Sequence, residues 1–263
     1  MRYILDHDLH IHTRLSPCSA DDRQTPAAIL AYGLSSGFHL LCATDHLWPQ
    51  TPLSLLRTHQ PLPQSKHCRF LFGAEVDMDK TDTLSATKEE IESLDFAIIS
   101  TDHLNLRGYS IDPAVTPGDA LSRKTRYKER LHTMLAMDLP FYKTGLPHFT
   151  DALACGDEPI RFLTLFSDAE LTDIFTKVRD RGMGVELNFV PSRYNADDLK
   201  EVLRPYFIAK NLGCKFYFAG DAHHPEDFRG VIGRKMEPVI DLLDLTEDDK
   251  FPFVKQMIAE MNE

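Results

Sequence analysis

Asp8-Leu9-His10-Ile11-His12 is the stretch from which the rest of the chain is read. Residues i and i+2 of a β-strand project to the same face, so an extended His10-x-His12 aims two imidazoles at one point. Imidazole is the commonest protein metal ligand, yet one such pair occurs on many polar surfaces. What gives this pair meaning is a pattern further along the chain. Asp45-His46, Glu75, Asp102-His103, Pro147-His148 and Asp221-Ala222-His223 each follow a hydrophobic or extended run, as if each stood at the end of its own strand.

The runs between these points alternate in type. A strand is expected over residues 3–11. A helix follows with Thr25 as N-cap, Pro26 in the first turn and Gly37 as its stop. Further strands are expected over residues 40–43, 69–74, 96–100, 141–146, 185–187 and 215–219. Residues 49–63 are proline-rich and read as irregular. Ser167-x-x-Glu170 is a capping box opening a helix that stops at Gly182, and Asn195 caps another that ends before Gly213. Residues 117–137 read as a helix carrying Arg123, Lys124, Arg126, Lys128 and Arg130. This basic run is either a solvated face or a cationic lid over an anionic substrate. Amphipathic segments at residues 236–243 and 246–261 are expected to pack outside.

Strand-then-helix alternation implies parallel strands, and in barrels of this kind functional groups gather at the C-terminal strand ends. The 263 residues fit one α/β barrel of about 250 residues, and no linker or repeat divides residues 1–263, so a single domain is expected. With 43% hydrophobic and 26% charged residues the composition is that of a soluble globular chain. The formal charge of −11 gives no general attraction to nucleic acid or to an anionic membrane. Five irregularly spaced cysteines, with no C-x-x-C pair, argue against a disulfide scaffold. No signal segment is visible at the N-terminus and no run approaches the roughly 18 apolar residues of a membrane span. The expected location is the cytoplasm.

The strand-end set is His10, His12, His46, Glu75, His103, His148, Asp221 and His223. Imidazoles with a few carboxylates suit zinc, manganese or iron better than calcium or magnesium, which prefer oxygen ligands. So many donors exceed the needs of one tetrahedral ion, which implies two or three divalent ions. Such a cluster suits hydrolysis of a phosphoester by a metal-activated water.

In Asp8-Leu9-His10-Ile11-His12-Thr13, Ala43-Thr44-Asp45-His46, Gly73-Ala74-Glu75, Thr101-Asp102-His103, Pro147-His148, Glu186-Leu187-Asn188 and Gly220-Asp221-Ala222-His223-His224-Pro225 the sequence resembles the polymerase and histidinol phosphatase (PHP) superfamily of metal-dependent phosphoesterases. The resemblance implies a distorted (β/α)7 TIM-like barrel with a trinuclear site at the C-terminal ends of the strands. It assigns His10, His12, Glu75 and Asp221 to one ion. Glu75 bridges to a second with His103 and His148, and His46 and His223 take a third. The remaining ligand of that third ion falls at Cys18, with Asp21 or Asp22 as alternatives. A thiolate ligates zinc or iron well. Among these, His10, His12, Glu75, Asp221 and His223 are expected to be indispensable to catalysis. Arg193 resembles a position where histidinol-phosphatase-like members bind phosphate, and its guanidinium fork suits that contact. Asp45 and Asp102 precede ligand histidines and either hold their ring N–H groups or cap the following loops.

The expected function is a phosphatase acting on a small phosphomonoester resembling histidinol phosphate. The alternatives are a phosphodiesterase or exonuclease, a metal-binding module without catalysis, and an amidohydrolase. A small phosphorylated substrate is the expected partner. The acidic balance disfavours nucleic acid but is compatible with a nucleotide in the pocket.

Overall fold

A computed structural model describes residues 1–19, 21–106, 108–112, 119–150, 154, 159–228 and 235–261. Its strands are β1 (His7–Ile11), β2 (Leu40–Ala43), β3 (His46–Leu47), β4 (Arg69–Asp77), β5 (Phe96–Ser100), β6 (Thr144–Leu146), β7 (Gly184–Leu187) and β8 (Lys215–Phe218). All pair in parallel, in the order β1-β2-β4-β5-β6-β7-β8, with β3 pairing to β4 beyond the end of β2. The helices are α1 (Pro26–Ser36), α2 (Leu53–Leu56), α3 (Lys88–Glu92), α4 (Ala120–Ala136), α5 (Pro159–Thr164), α6 (Asp168–Arg181), α7 (Ala196–Asn211), α8 (Pro238–Leu242) and α9 (Pro252–Ala259). None of the described helices is long and apolar enough to cross a membrane.

The cap residues act where the sequence puts them. Thr25 accepts from the Ala28 amide, and Gly37 ends α1 at φ +72°, a left-handed angle that glycine adopts without a Cβ clash. Ser167 and Glu170 close a reciprocal capping box at the start of α6, and the Asn195 side chain accepts from Asp197 and Asp198 at the start of α7. Several limits differ from expectation. β1 begins at His7 rather than at residue 3, and β6 is confined to Thr144–Leu146 because Phe141–Lys143 winds into a 3-10 turn. Residues 49–63 include the short α2, and Thr87 and Glu90 form a second capping box that makes α3.

The sheet is a barrel with one seam, between β1 and β8. Side chains bridge it where a ladder would run. The Phe218 amide donates to Nε2 of His7 (3.0 Å), the Gly220 amide to Oδ1 of Asp8 (2.8 Å), and the Tyr3 hydroxyl to the Phe216 carbonyl (2.9 Å). Near the mouth the backbone takes over, with the His12 amide on the Ala222 carbonyl at 3.0 Å.

The barrel interior is apolar at one end and ionisable at the other. Leu9, Leu40, Cys42, Leu71, Phe96, Ile98 and Tyr217 fill the lower part, closed by Phe251, Phe253 and Val254 at the start of α9. The outer core lies between strands and helices, with Ile29, Leu131, Phe175, Val202 and Tyr206 among its buried members. Along β4 the alternate positions Leu71, Gly73, Glu75 and Asp77 share the inner face. That alternation carries the chain from the apolar plug to the ionisable mouth.

Candidate metal centre

His10 and His12 come together because β1 is irregular. Asp8 pairs with Leu41 and Ile11 with Ala43, so three steps on β1 match two on β2. This is the signature of a bulge, which re-aims side chains beside functional sites. The His10 amide turns to Oδ1 of Asp8 (3.3 Å), and the two imidazoles meet with their Nε2 atoms 3.1 Å apart.

Glu75 and Asp221 complete this knot. Oδ1 of Asp221 is 3.1 Å from Nε2 of His12 and 3.3 Å from Nε2 of His10, and Oε2 of Glu75 is 3.4 Å from both nitrogens. A tetrahedral zinc with bonds of about 2.0–2.1 Å has ligand–ligand edges of about 3.3–3.4 Å. The five separations that involve the two imidazoles are already close to those edges. Oε2 of Glu75 and both ring nitrogens of His148 are buried with no hydrogen bond among the described residues, which is the condition of donor atoms awaiting a cation.

The remaining candidates gather around this centre. Nε2 of His103 is 3.4 Å from Oε1 of Glu75, and Nε2 of His148 is 3.4 Å from Oδ2 of Asp221. Donor atoms of His12, Cys18, His46 and His223 lie within 4.8 Å of one another, as do those of His10, Glu75 and His148, and those of His46, Glu75 and His103. Cys18 therefore falls where the sequence places it, at the exposed mouth. Asp21 is committed elsewhere, to Arg23 at 2.7 Å. An open cavity of about 230 Å³ is lined by these residues other than the fully buried His10, and by Trp48, Asn105 and Leu106.

The electrostatics are those of a charge cluster held together by protons. Burial works against ionisation of Glu75 and Asp221, yet the surrounding imidazoles outweigh it and keep both well below the usual carboxylate range. Burial likewise opposes charge on His103, but Asp77 and Glu75 hold it up at about 9. His12, buried between His46 and His223, is pushed down to about 3 despite Asp221. Burial would raise the Cys18 thiol, but hydrogen bonds with His223 and His46 bring it to about 6. Divalent cations would replace these protons, since imidazole and thiol ligate only when deprotonated. The residues present fit such ions.

A second layer orients the rings. Nδ1 of His10 meets Oε2 of Glu186 at 3.0 Å, and the Tyr217 hydroxyl donates to the same oxygen at 3.0 Å. Nδ1 of His12 meets Oγ of Ser16 at 2.8 Å. Asp102 stands 3.2 Å from Nδ1 of His148, an electrostatic contact without hydrogen-bond geometry, so its charge lies beside a second ring and not that of its neighbour His103 alone. Asp45 instead holds the loop after β1, accepting from the amide and hydroxyl of Thr13 at 2.7 Å each. Asp77, Glu186 in this role, Ser16 and Trp48 were not singled out from the sequence. Asp77 was visible there only as the residue two beyond Glu75, on the same face of the same strand.

One expectation resolves differently. The basic run on α4 is neither a solvated face nor a lid. Lys124 and Lys128 meet Glu170 at 2.5 and 2.7 Å, Arg126 meets Asp82, and Arg130 is fully buried against carbonyl groups. Arg193 is exposed in the 3-10 turn Pro191–Arg193 after β7, outside the cavity lining. Of the weaker candidates for the same phosphate contact that the sequence offers, Arg14, Arg107 and Arg229, the last two lie outside the described residues.

The sequence matches no family model and no curated protein. Solved structures do share the fold. One is the histidinol phosphate phosphatase of Lactococcus lactis subsp. lactis, crystallised with zinc, L-histidinol and phosphate. It superposes with a TM-score of 0.60 at 15% identity, over 96% of this chain and 98% of that one. Another, from Listeria monocytogenes and described as a histidinol phosphatase, gives 0.58 at 14% identity, over 84% of this chain and 96% of that one. The barrel of this chain is thus the fold of the histidinol phosphate phosphatase structures.

Proposed function

We propose that the chain is a metal-dependent phosphoesterase that hydrolyses a small phosphomonoester of the histidinol phosphate type. The observation that carries this reading is the separation of 3.1–3.4 Å between the ring nitrogens of His10 and His12 and between each of them and the carboxylates of Glu75 and Asp221, beside a cavity with more such donors than one ion needs. The zinc, phosphate and histidinol of the Lactococcus structure, which shares the fold, support the same substrate class.

His10, His12, Glu75 and Asp221 would hold one ion. Glu75, His103 and His148 would hold a second, and Cys18, His46 and His223 a third. Zinc, manganese or iron so bound supplies Lewis acidity toward phosphoryl oxygens and acidifies water near neutrality. The chain's own groups prepare the site. Glu186 and Ser16 take the Nδ1 protons of His10 and His12, which leaves both Nε2 lone pairs directed at the cavity. Glu75, buried among five imidazoles, stays ionised and offers one oxygen to each of two neighbouring groups. Trp48, Asn105 and Leu106 form the wall that the organic part of a substrate meets. Arg193, in the turn after β7, is assigned to the phosphate on the resemblance alone. Lys124, Arg126, Lys128 and Arg130 are engaged by Glu170, Asp82 and backbone carbonyls rather than lined up as a basic stripe for a nucleic acid, which favours a small molecule over a phosphodiester chain.

The test pairs elemental analysis of the purified protein with phosphate release from a panel that includes histidinol phosphate and nucleotides. Two or three zinc, manganese or iron ions per chain, and phosphate release that is lost in His10→Ala, are expected. Metal without phosphate release from any panel member would favour a silent metal-binding module. Absence of metal in protein prepared without chelator would overturn the reading.

A further inference from the structure

Asp77 is fully buried at the end of β4, and its two carboxylate oxygens are divided between two of the candidate ligands. Oδ2 takes Nδ1 of His46 at 3.0 Å, and Oδ1 takes Nδ1 of His103. The indole Nε1 of Trp48 also donates to Oδ2, while the Trp48 ring stacks on His46 with centroids 4.3 Å apart and planes 19° apart. An indole N–H and a hydrogen-bonded ring N–H are donors, so the partners of this carboxylate fix where the ring protons sit.

We propose that Asp77 is a positioning residue shared by two metal groups: it holds His46 and His103 in the tautomer protonated on Nδ1, so that both offer Nε2 to the cavity. The inference rests on the metal reading above. His46 stands in the group with Cys18 and His223 as well as in the one with Glu75 and His103, whereas His103 does not reach the outer group. One carboxylate thus links ligands of two ions. A carboxylate serving only the strand would find backbone partners. The Asp77 backbone is already satisfied by Ser85, through its hydroxyl at 3.0 Å and its amide at 2.8 Å, and the side chain points wholly to the site. Trp48 adds a third donor and a flat wall behind His46, which leaves that ring little freedom to rotate. Ligand-orienting partners of this kind are worth 10–100-fold in metal affinity.

The experiment measures zinc bound per chain at controlled free zinc for the wild type, Asp77→Asn and His223→Ala, with circular dichroism to confirm folding. His223 contributes to the outer group alone, so His223→Ala is expected to weaken one zinc. Asp77→Asn, which replaces an acceptor of two ring protons by an amide, is expected to weaken two, by about 10–100-fold each. A loss in Asp77→Asn no larger than in His223→Ala overturns the proposal. A wild type that binds no zinc overturns the metal reading itself, a separate result. The tautomer claim is read independently of any Asp77 variant, from long-range proton–nitrogen NMR correlations of the zinc-loaded wild type, with the rings assigned through His46→Gln and His103→Gln. Nδ1–H on both rings is expected, and a proton on Nε2 of either overturns the assignment.

Discussion

His148 and Asp221 both have left-handed backbones, at φ +50° and +48°, and their side chains meet with Nε2 and Oδ2 3.4 Å apart. They follow β6 and β8, strands separated by β7. Non-glycine residues in this region of backbone space cost about 1–3 kcal/mol and persist where surrounding structure over-determines them, often at functional sites. The barrel accepts this cost at two candidate ligands.

The strain can be separated from the chemistry at Asp221. Asp221→Ala and Asp221→Gly both lose the carboxylate and are both expected to lose the ion shared with His10 and His12. Glycine adopts φ +48° without a Cβ clash, whereas alanine does not. The glycine variant is therefore expected to unfold in urea with a stability about 1 kcal/mol above the alanine variant, although alanine is ordinarily the more stabilising of the two. Equal midpoints, or a more stable alanine variant, would show that the left-handed backbone stores no strain.

The strand ends and their imidazoles were legible because they rest on two local rules, alternation along a strand and the gathering of loops at one rim of a parallel barrel. The capped helices were legible for the same reason, since Thr25, Ser167 and Asn195 act within four residues of themselves. What escaped depends on register between distant segments. Glu186 reaches His10 across 176 positions, and no local pattern announces that. Asp77 was hidden behind its neighbour Glu75. The α4 cations misled because a basic run on a helix usually faces water. Here Glu170, Asp82 and the carbonyls beyond β4 and β5 draw them inward.

Glu186 is itself held by Tyr217, and the space for that contact comes from Gly145. A Cβ on Gly145 would lie 2.0 Å from the Tyr217 hydroxyl. Tyr217→Phe removes one donor to Oε2 of Glu186 and frees that carboxylate to move away from His10. The expected result is zinc affinity lowered severalfold at the His10 group, with little change in the fold. Gly145→Ala should do more, because the tyrosine ring must shift as well as lose its partner. Zinc titration of both variants checks the order, and a Gly145→Ala protein with wild-type affinity would refute the coupling.

Arg130 ties the two strand ends that carry Glu75 and His103. Its guanidinium donates to the carbonyls of Met78 (2.5 Å), Asp79 (3.0 Å) and Thr101 (2.8 Å). Arg130→Met leaves three carbonyls short of a donor, at about 1–3 kcal/mol for each group left unsatisfied. The variant is expected to be destabilised by several kcal/mol in chemical denaturation. Arg130→Lys, which keeps the charge but has no planar fork, should fall between it and the wild type. A methionine variant as stable as the wild type would mean that these carbonyls find other donors.

Cys18 has the properties of a thiolate ligand, with its thiol drawn down to about 6 against burial by His223 and His46. In protein reloaded with cobalt(II), a sulfur-to-metal charge-transfer band is expected in the wild type and absent in Cys18→Ala. Metal content in the same variant should fall by one ion, with the His10 group still filled. A cobalt spectrum without the sulfur band would remove Cys18 from the ligand set.

A distinct pH dependence belongs to the far end of the barrel. Asp6 lies between Nδ1 of His7 at 2.8 Å and Nζ of the buried Lys250 at 2.9 Å, with Glu247 on the other side of Lys250, also at 2.9 Å. Burial would raise the Asp6 carboxyl, but His7 and Lys250 outweigh it and bring it down to about 2. A carboxyl lowered on folding adds stability above its unfolded value, about 4, and loses it as the pH falls through the folded value. The shift corresponds to roughly 2 kcal/mol at neutral pH. Asp6→Asn should therefore be less stable than the wild type at pH 6, and the gap should narrow as the pH is lowered from about 4 toward 2. Urea midpoints of both proteins across that range give the measurement. A gap that stays constant with pH would mean that the Asp6 charge contributes nothing to the seam between β1 and β8.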